Sequence, residues 1–422
     1  MSSVRLGLRA NAAQFSLLVA VNVLVGALVG LERSVLPVTG EQDFGLASHT
    51  AILTFVVAFG CAKAVTNLAA GALADRIGRK RLLVAGWCVA LPVPLLIGLA
   101  PGWWLVALAN VLLGVSQGLA WSMTVVMKID LAGPRRRGLA LGLNEAAGYL
   151  GVAMAAFATG VLATSIAPRT VIWVGALAIV VAGLLVSSVW VRETAGHVAR
   201  EQGGAAAAPI RLGKAFRATA LDNRVLRACS QAGLVNNLND ALAWGLVPLY
   251  LAAGDASTGE IGLVAATYPA VWGALQPFTG WLSDRIGRKP PIVAGMLLQA
   301  AALFVLVGGD GELAAALASA TLLGVGTALV YPTLIATVSD IAEPRDRGTF
   351  VGVYRFWRDA GLVVGALLAG VLSDALGSGT AIVAVAALTA ASGLVVAMTR
   401  WSPEARPSLI GDDDGAYRES GL

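Results

Sequence analysis

Apolar runs of about twenty residues follow one another along nearly the whole of this 422-residue chain, separated by short polar segments. A helix rises about 1.5 Å per residue, so each run is long enough to cross a hydrocarbon core of about 30 Å. Twelve such runs can be placed, near 14–37, 48–73, 82–100, 103–128, 138–164 and 170–191, then 226–252, 258–282, 290–308, 312–339, 348–373 and 379–400. Only 13% of residues are charged, against about a quarter in a soluble domain, which leaves too little charge to cover a water-facing surface. The 50 glycines fit helices that pack closely in lipid, where no hydrophobic force drives association. The chain is expected to be an all-α membrane protein. Arg5 and Arg9 precede the first run, but that run outlasts the apolar core of a signal peptide and no small-residue cleavage site follows. It reads as the first membrane helix.

The polar segments set an orientation. Arg76, Arg79, Lys80 and Arg81 follow the second run, Arg135 to Arg137 the fourth, Arg285, Arg288 and Lys289 the eighth, and Arg345 and Arg347 the tenth. The alternate loops carry Glu41, Asp43, Asp255, Glu260, Asp310, Glu312 and Asp374, with Arg169 as their one basic residue. Basic loops stay in the cytoplasm, so both termini are expected there. The basic residues are spread over several loops and form no single patch, which excludes nucleic acid as the expected partner. Expected partners are the bilayer and a small-molecule substrate, with the chain acting as a monomer. Cys61, Cys88 and Cys229 lack ligand-like spacing, and His49 and His197 are the only histidines. Disulfides, a metal centre and any other cofactor are therefore not expected.

The sequence also repeats. Gly71-Ala-Leu-Ala-Asp-Arg-Ile-Gly-Arg-Lys80 recurs as Gly280-Trp-Leu-Ser-Asp-Arg-Ile-Gly-Arg-Lys289, and Asp130, Pro134, Arg137 and Gly138 recur as Asp340, Pro344, Arg347 and Gly348. Gly114 matches Gly324, Gly160 matches Gly370, and Pro37 matches Pro248. Two parallel six-helix halves of this kind form a transporter architecture with its solute site near mid-membrane. The divisions expected are a first bundle over 1–192, a cytoplasmic linker over 193–222 with a surface helix at Ile210 to Arg217, a second bundle over 223–402, and a tail over 403–422.

The doubled Gly-x-x-x-Asp-Arg-x-Gly-Arg-Lys loop resembles the signature of the major facilitator superfamily, and the resemblance covers about residues 14–400. It implies a secondary transporter, efflux-like, working by alternating access with a proton gradient as energy source. It also implies that Asp75 and Asp284 latch the cytoplasmic side by meeting a helix N-terminus in the other half. Gly78 and Gly287 suit a positive-φ turn, and Gly71 and Gly280 suit tight helix approach. Arg76, Arg79, Asp130, Arg137, Arg285, Arg288, Asp340 and Arg347 complete the candidate gate, with Arg137 and Arg347 as partners for the aspartates.

Charges inside the runs are costly, about 2.5–3.5 kcal/mol each at a helix centre on insertion scales, so function is the default reading. They are Glu32, Arg33, Lys63, Glu145, Asp240, Arg355, Arg358 and Asp359. Arg355, Arg358 and Asp359 share one helix face. The resemblance brings the second and eleventh helices together, so Lys63 is expected to pair with Asp359 or compete for it with the arginines. Three uses stay open. Glu32, Glu145, Asp240 and Asp359 could carry protons; Arg33, Lys63, Arg355 and Arg358 could anchor an organic or inorganic anion; or the charges could form a network that holds the halves together. Asn67, Trp121, Asn236, Asn237, Asn239 and Trp244 are candidate cavity residues beside them.

Two departures weaken a specific drug/proton assignment. Asn110 stands where many proton-coupled members carry arginine, and Gly148-Tyr-Leu-Gly151 lacks their Gly-Pro pattern. Gly114-Val-Ser-Gln-Gly118 matches a hydrolase elbow but lies inside an apolar run with no strand before it, and reads as packing. No phosphate-binding loop supports an ATP-driven pump, and no catalytic constellation supports an enzyme. A membrane sensor that keeps the fold without transporting is the alternative of another class.

Overall fold

The computed structural model describes residues 7, 9–132, 137–195, 211–342 and 347–401, with only the backbone described at 71, 72, 75, 137–139, 347 and 348. The side chains of Asp75, Arg137 and Arg347, the packing at Gly71, the helix stops at Pro134 and Pro344, most of the linker and the tail lie outside the described residues.

The described residues form twelve helical spans. The first six are Ala12–Arg33 continued by Leu36–Gln42, Thr54–Ile77, Arg79–Ala90 continued by Val93–Gly98, Trp103–Ala132, Arg137–Leu162 and Pro168–Val189. The second six are Arg224–Ala241 continued by a π segment and Val247–Ala253, Thr258–Ile286, Lys289–Gly308, Leu313–Ile341, Arg347–Leu376 and Ser378–Met398. A short helix, Leu212–Arg217, precedes the seventh span. Ten spans are long and apolar enough to cross a membrane on composition alone. The seventh and eighth fall short because Arg224, Arg227, Asp240 and three asparagines dilute one, and Tyr268, Gln276 and two prolines the other. Asp240, the asparagines, Tyr268 and Gln276 are buried inside the protein, so lipid does not meet them, while Arg224 and Arg227 are exposed near the start of the seventh span.

The first and seventh spans break at equivalent places. The first is interrupted at Ser34–Val35 and restarts with Pro37 in its first turn, and the seventh passes through a π segment at Leu242–Leu246 before Pro248. Proline tolerates a helix start because its missing N–H would be unsatisfied there anyway. Gly78 and Gly287, at φ +100° and +86°, turn the second span into the third within one residue and the eighth into the ninth within two. A side chain at those dihedrals would be strained.

The first six spans pack as one bundle and the last six as another, and the bundles meet along two seams, the fifth span against the eighth and the second against the eleventh. One end of the molecule, the acidic face, carries Glu41, Asp255, Asp310 and Asp374; the other, the basic face, carries Arg76, Lys80, Arg285 and Lys289. At the acidic face both seams close to backbone contact. A methyl group built on Gly160 would lie 2.5 Å from the Gly262 Cα, and one on Gly370 would lie 2.7 Å from the Thr50 Cα. Arg169, the basic exception among the acidic loops, is spent locally: its guanidinium donates to the Ile97 carbonyl at 2.9 Å and to that of Ala100, capping the end of the third span.

Candidate functional site

Midway along the spans a partly open cavity lies between the two bundles. Three cations line it: Lys63 from the second span, and Arg355 and Arg358 from the eleventh. Three aromatic rings complete most of the wall, Trp121 and Tyr149 from the first bundle and Tyr331 from the second, with Asn67 and Ser122 between them. The helical spacing expected for Arg355, Arg358 and Asp359 does bring them to one face. The arginines reach the cavity, and Asp359 sits behind them, fully buried.

The expected Lys63–Asp359 pair does not form. Asn67 Nδ2 donates to Asp359 Oδ2 at 2.6 Å, and Arg358 approaches the other oxygen at 3.5 Å. Asn67 is one turn beyond Lys63 on the same helix face, so it reaches the carboxylate in place of the lysine. The Lys63 ammonium instead lies 5.5 and 5.9 Å from the ring centroids of Phe59 and Trp121, a cation–π placement. Among the described residues, neither Lys63 nor Arg355 makes an ion pair.

Glu145, 4% exposed, accepts from both bundles. Trp121 Nε1 donates at 3.2 Å and Asn144 Nδ2 at 3.2 Å from its own side, while the Tyr331 hydroxyl donates at 3.3 Å from across the seam. Behind it lies Lys128, wholly buried, whose ammonium donates to Asn144 Oδ1 at 2.6 Å. The Asn144 amide thus turns its oxygen to the cation and its nitrogen to the carboxylate. The Asn144 carbonyl in turn accepts from Asn22 Nδ2 at 2.6 Å. Arg358 lies 4.3 Å over the Tyr331 ring and donates to the Tyr149 hydroxyl at 3.2 Å, a second polar link across the seam.

A second charged group lies nearer the acidic face. Arg33 is fully buried, with its guanidinium 4.8 Å from the Phe59 ring, 4.9 Å from Trp244 and 5.9 Å from Phe55. Glu32 lies beside Asn110, the position expected to matter for its missing arginine. Asp240 accepts from the Tyr268 hydroxyl. Trp244 therefore belongs to this cage and not to the cavity wall. Asn236 is also placed differently from expectation: it accepts from Gln299 Nε2 at 2.8 Å, Gln299 accepts from Asn239 at 2.7 Å, and Asn239 accepts from Thr389 at 2.9 Å, all within the second bundle. Asn237 packs against Gly361 of the eleventh span. These amides bind neighbouring helices because buried polar groups in lipid must find partners.

The gate residues cluster within each half. Arg79 pairs with Asp130 at 3.4 Å, and its repeat partner Arg288 pairs with Asp340 at 3.0 Å and with Asp284 at 2.5 Å. Asp284, expected to reach the other bundle, is held by Arg288 in its own. Gly280 does not close on a neighbouring helix; a methyl group there would meet nothing within 4 Å. Arg285 stacks 4.0 Å over Trp281, and Arg76 is exposed. Glu193, just past the sixth span, caps the third, accepting from the backbone N–H groups of Arg79 at 3.2 Å and Lys80 at 3.0 Å. Burial alone would raise its pKa, but N–H donors from Lys80, Ala195, Thr194 and Arg79 hold it below the usual 4.5.

Toward the basic face, no hydrogen bond or ion pair among the described residues joins the bundles beyond Asn67–Asp359. The bonds between them lie at mid-membrane and at the acidic face.

A family model described as Major Facilitator Superfamily matches residues 13–237 and again 229–417, once per bundle. The chain belongs to that superfamily. It is an integral membrane transporter and not an enzyme. A solved bacterial homologue of the human lysosomal transporter Spinster, in an inward-facing and unoccupied conformation, superposes with a TM-score of 0.71 at 17% identity, covering 93% of this chain and 99% of that one. The "Multidrug resistance protein MdtH" of Yersinia enterocolitica is 36% identical over 108 residues, 26% of this chain and 27% of that protein. The MdtH of Yersinia pestis matches equally. The match thus spans about a quarter of the length of these curated relatives.

Proposed function

We propose that this superfamily member exports a small solute by alternating access, coupled to proton entry through Glu145. The observation that carries the proposal is the donor set of Glu145, which is split between the bundles. When the bundles rock, Trp121 and Asn144 travel with the carboxylate and Tyr331 does not. A group whose partners differ between two global states has a free energy that differs between them, which is what coupling requires. Trp121 and Tyr331 also line the solute cavity, so solute and proton act on the same donors.

In this reading the basic face is cytoplasmic, the halves comprise residues 1–192 and 223–402, and the chain works as a monomer in the cytoplasmic membrane with both termini inside. The backbone-close glycine packing and the Asp374 contacts at the acidic face support a state closed on that side and open to the cytoplasm. The name of the Yersinia relatives favours export over uptake. Reconstituted into proteoliposomes, the protein should move solute against its gradient when the opposite compartment is acidified. Glu145→Gln should abolish that movement while leaving solute exchange at zero gradient partly intact. Equal loss of both would make Glu145 a binding or structural group, and no flux under any gradient would favour the sensor reading.

A further inference from the structure

We infer that the solute of the central cavity is an organic anion with a flat aromatic or similarly apolar body. The inference rests on the carrier reading in so far as this cavity is the solute site, but it does not need proton coupling.

The charge balance at the wall is the starting point. Lys63, Arg355 and Arg358 all line the cavity, and one carboxylate, Asp359, stands directly behind them. Asp359 is already engaged, by Asn67 at 2.6 Å and by Arg358 at 3.5 Å. Glu145 is engaged as well, by three donors and, through Asn144, by Lys128. Among the described residues this leaves Lys63 and Arg355, both half-buried, without an ion pair at the cavity wall. A half-buried cation has lost part of its hydration, and a bound anion offsets that cost. A cationic solute would add like charge to the same space.

The uncharged part of the wall decides what the anion is attached to. Trp121 and Tyr149 lie 5.3 Å apart between ring centroids, and Tyr149 stacks at 3.5 Å on Trp272, which meets Tyr331 edge-on at 5.5 Å. Trp121, Tyr149 and Tyr331 from this cluster line the cavity on both sides of the seam, and Trp272 backs them without reaching it. A small inorganic anion would touch the cations and leave those rings bare. Arg355 and Arg358 offer forked donors for a carboxylate, sulfonate or phosphate, and Lys63 a third point of charge.

Three probes matched in shape test this: 2-naphthalenesulfonate, the neutral 2-naphthalenesulfonamide, and 2-naphthylmethyl-trimethylammonium. Binding to the full-length protein in a non-ionic detergent is measured by calorimetry, with inorganic sulfate as competitor. The sulfonate should bind at least tenfold more tightly than the other two, and Lys63→Gln/Arg355→Gln should remove most of that preference while elution from a sizing column stays unchanged. Lys63→Gln alone, with Arg355 intact, should give an intermediate loss, which keeps the test informative if the double variant does not fold. Tighter binding of the ammonium, equal binding of all three, or no sulfonate binding at millimolar concentration overturns the inference. So does displacement of the sulfonate by equimolar sulfate, which would make the site one for inorganic anions. Sulfonate binding without gradient-driven flux supports this inference and counts against proton coupling alone.

Discussion

Asp374, at the end of the eleventh span, caps a helix that begins at His49 in the opposite bundle. Its carboxylate accepts from the His49 backbone N–H at 2.6 Å, from the Thr50 N–H at 3.1 Å and from the Ser48 hydroxyl at 2.7 Å. The repeat gives this contact its meaning. The corresponding helix start in the second bundle is a complete capping box, in which Ser257 and Glu260 satisfy each other's backbone N–H groups. At the first start Ser48 caps alone, because Ala51 stands where Glu260 does, and the missing acid comes from the other bundle. The family resemblance implies an aspartate at a helix N-terminus of the other half for Asp75 and Asp284 at the basic face; Asp374 makes a contact of that kind at the acidic face.

Asp374→Ala should therefore favour opening of the acidic face. Losing a helix cap costs about 1 kcal/mol, a shift of about fivefold in the balance of states. Spin labels at Ser165 and Glu312, one per bundle, should report a larger share of long distances in the variant. An unchanged distribution would mean that glycine packing alone holds the seam.

The Lys128–Asn144–Glu145 bridge predicts an order of damage. Asn144→Leu removes the acceptor and leaves a buried ammonium unpaired, whereas Lys128→Met removes the charge and leaves only an amide oxygen unsatisfied. Breaking a buried charged pair costs about 3–5 kcal/mol, against about 1–3 kcal/mol for a neutral group left without its bond. Melting followed by tryptophan fluorescence should show the larger drop for Asn144→Leu. The reverse order would show that Lys128 is not a buried cation.

How this bridge escaped the sequence is instructive. Lys128 lies at the end of the apolar run placed at 103–128 and is not among the charges singled out inside the runs, but the helix continues to Ala132 and carries it inside. Asp374 was likewise legible as an acidic loop residue and not as a cap, because its partner lies 325 positions away in sequence. Tyr149 and Tyr331 gave no signal at all, since an aromatic ring in lipid carries no insertion penalty that would mark it as retained for function. The helices, the duplicated turns and the arginine face were readable because apolar length, positive-φ glycine and helical spacing are local properties. Which of Lys63 and Asn67, one turn apart, meets Asp359 depends on the angle between two spans distant in sequence.

The two gate pairs should differ although the repeat makes them equivalent. Arg79 and Asp130 are 9% and 7% exposed, while Arg288 and Asp340 are 23% and 57% exposed. Exposed pairs contribute about 0–1 kcal/mol; a broken buried pair costs about 3–5 kcal/mol. Arg79→Ala should lower the melting temperature well below that of Arg288→Ala, and equal effects would contradict the burial difference.

Glu193 gives a pH signature. Its carboxyl is held below the usual 4.5 when folded, so its contribution to stability is complete above the unfolded value and is lost as pH falls through the lowered one. The melting difference between the protein and Glu193→Gln should be present at neutral pH and should shrink in acid below 4.5. A difference that grows in acid would reverse the sign and remove the cap.

The account stands or falls on movement of one bundle against the other. A methyl group built on Gly259 would lie 3.4 Å from Thr164 Cγ2 across the acidic-face seam, so the two positions are side-chain neighbours from opposite bundles. With Cys61, Cys88 and Cys229 replaced, Thr164→Cys/Gly259→Cys can be oxidised in proteoliposomes and the flux of 2-naphthalenesulfonate followed. Flux should stop on oxidation and return on reduction. Flux that continues undiminished through the locked seam would contradict alternating access in this protein.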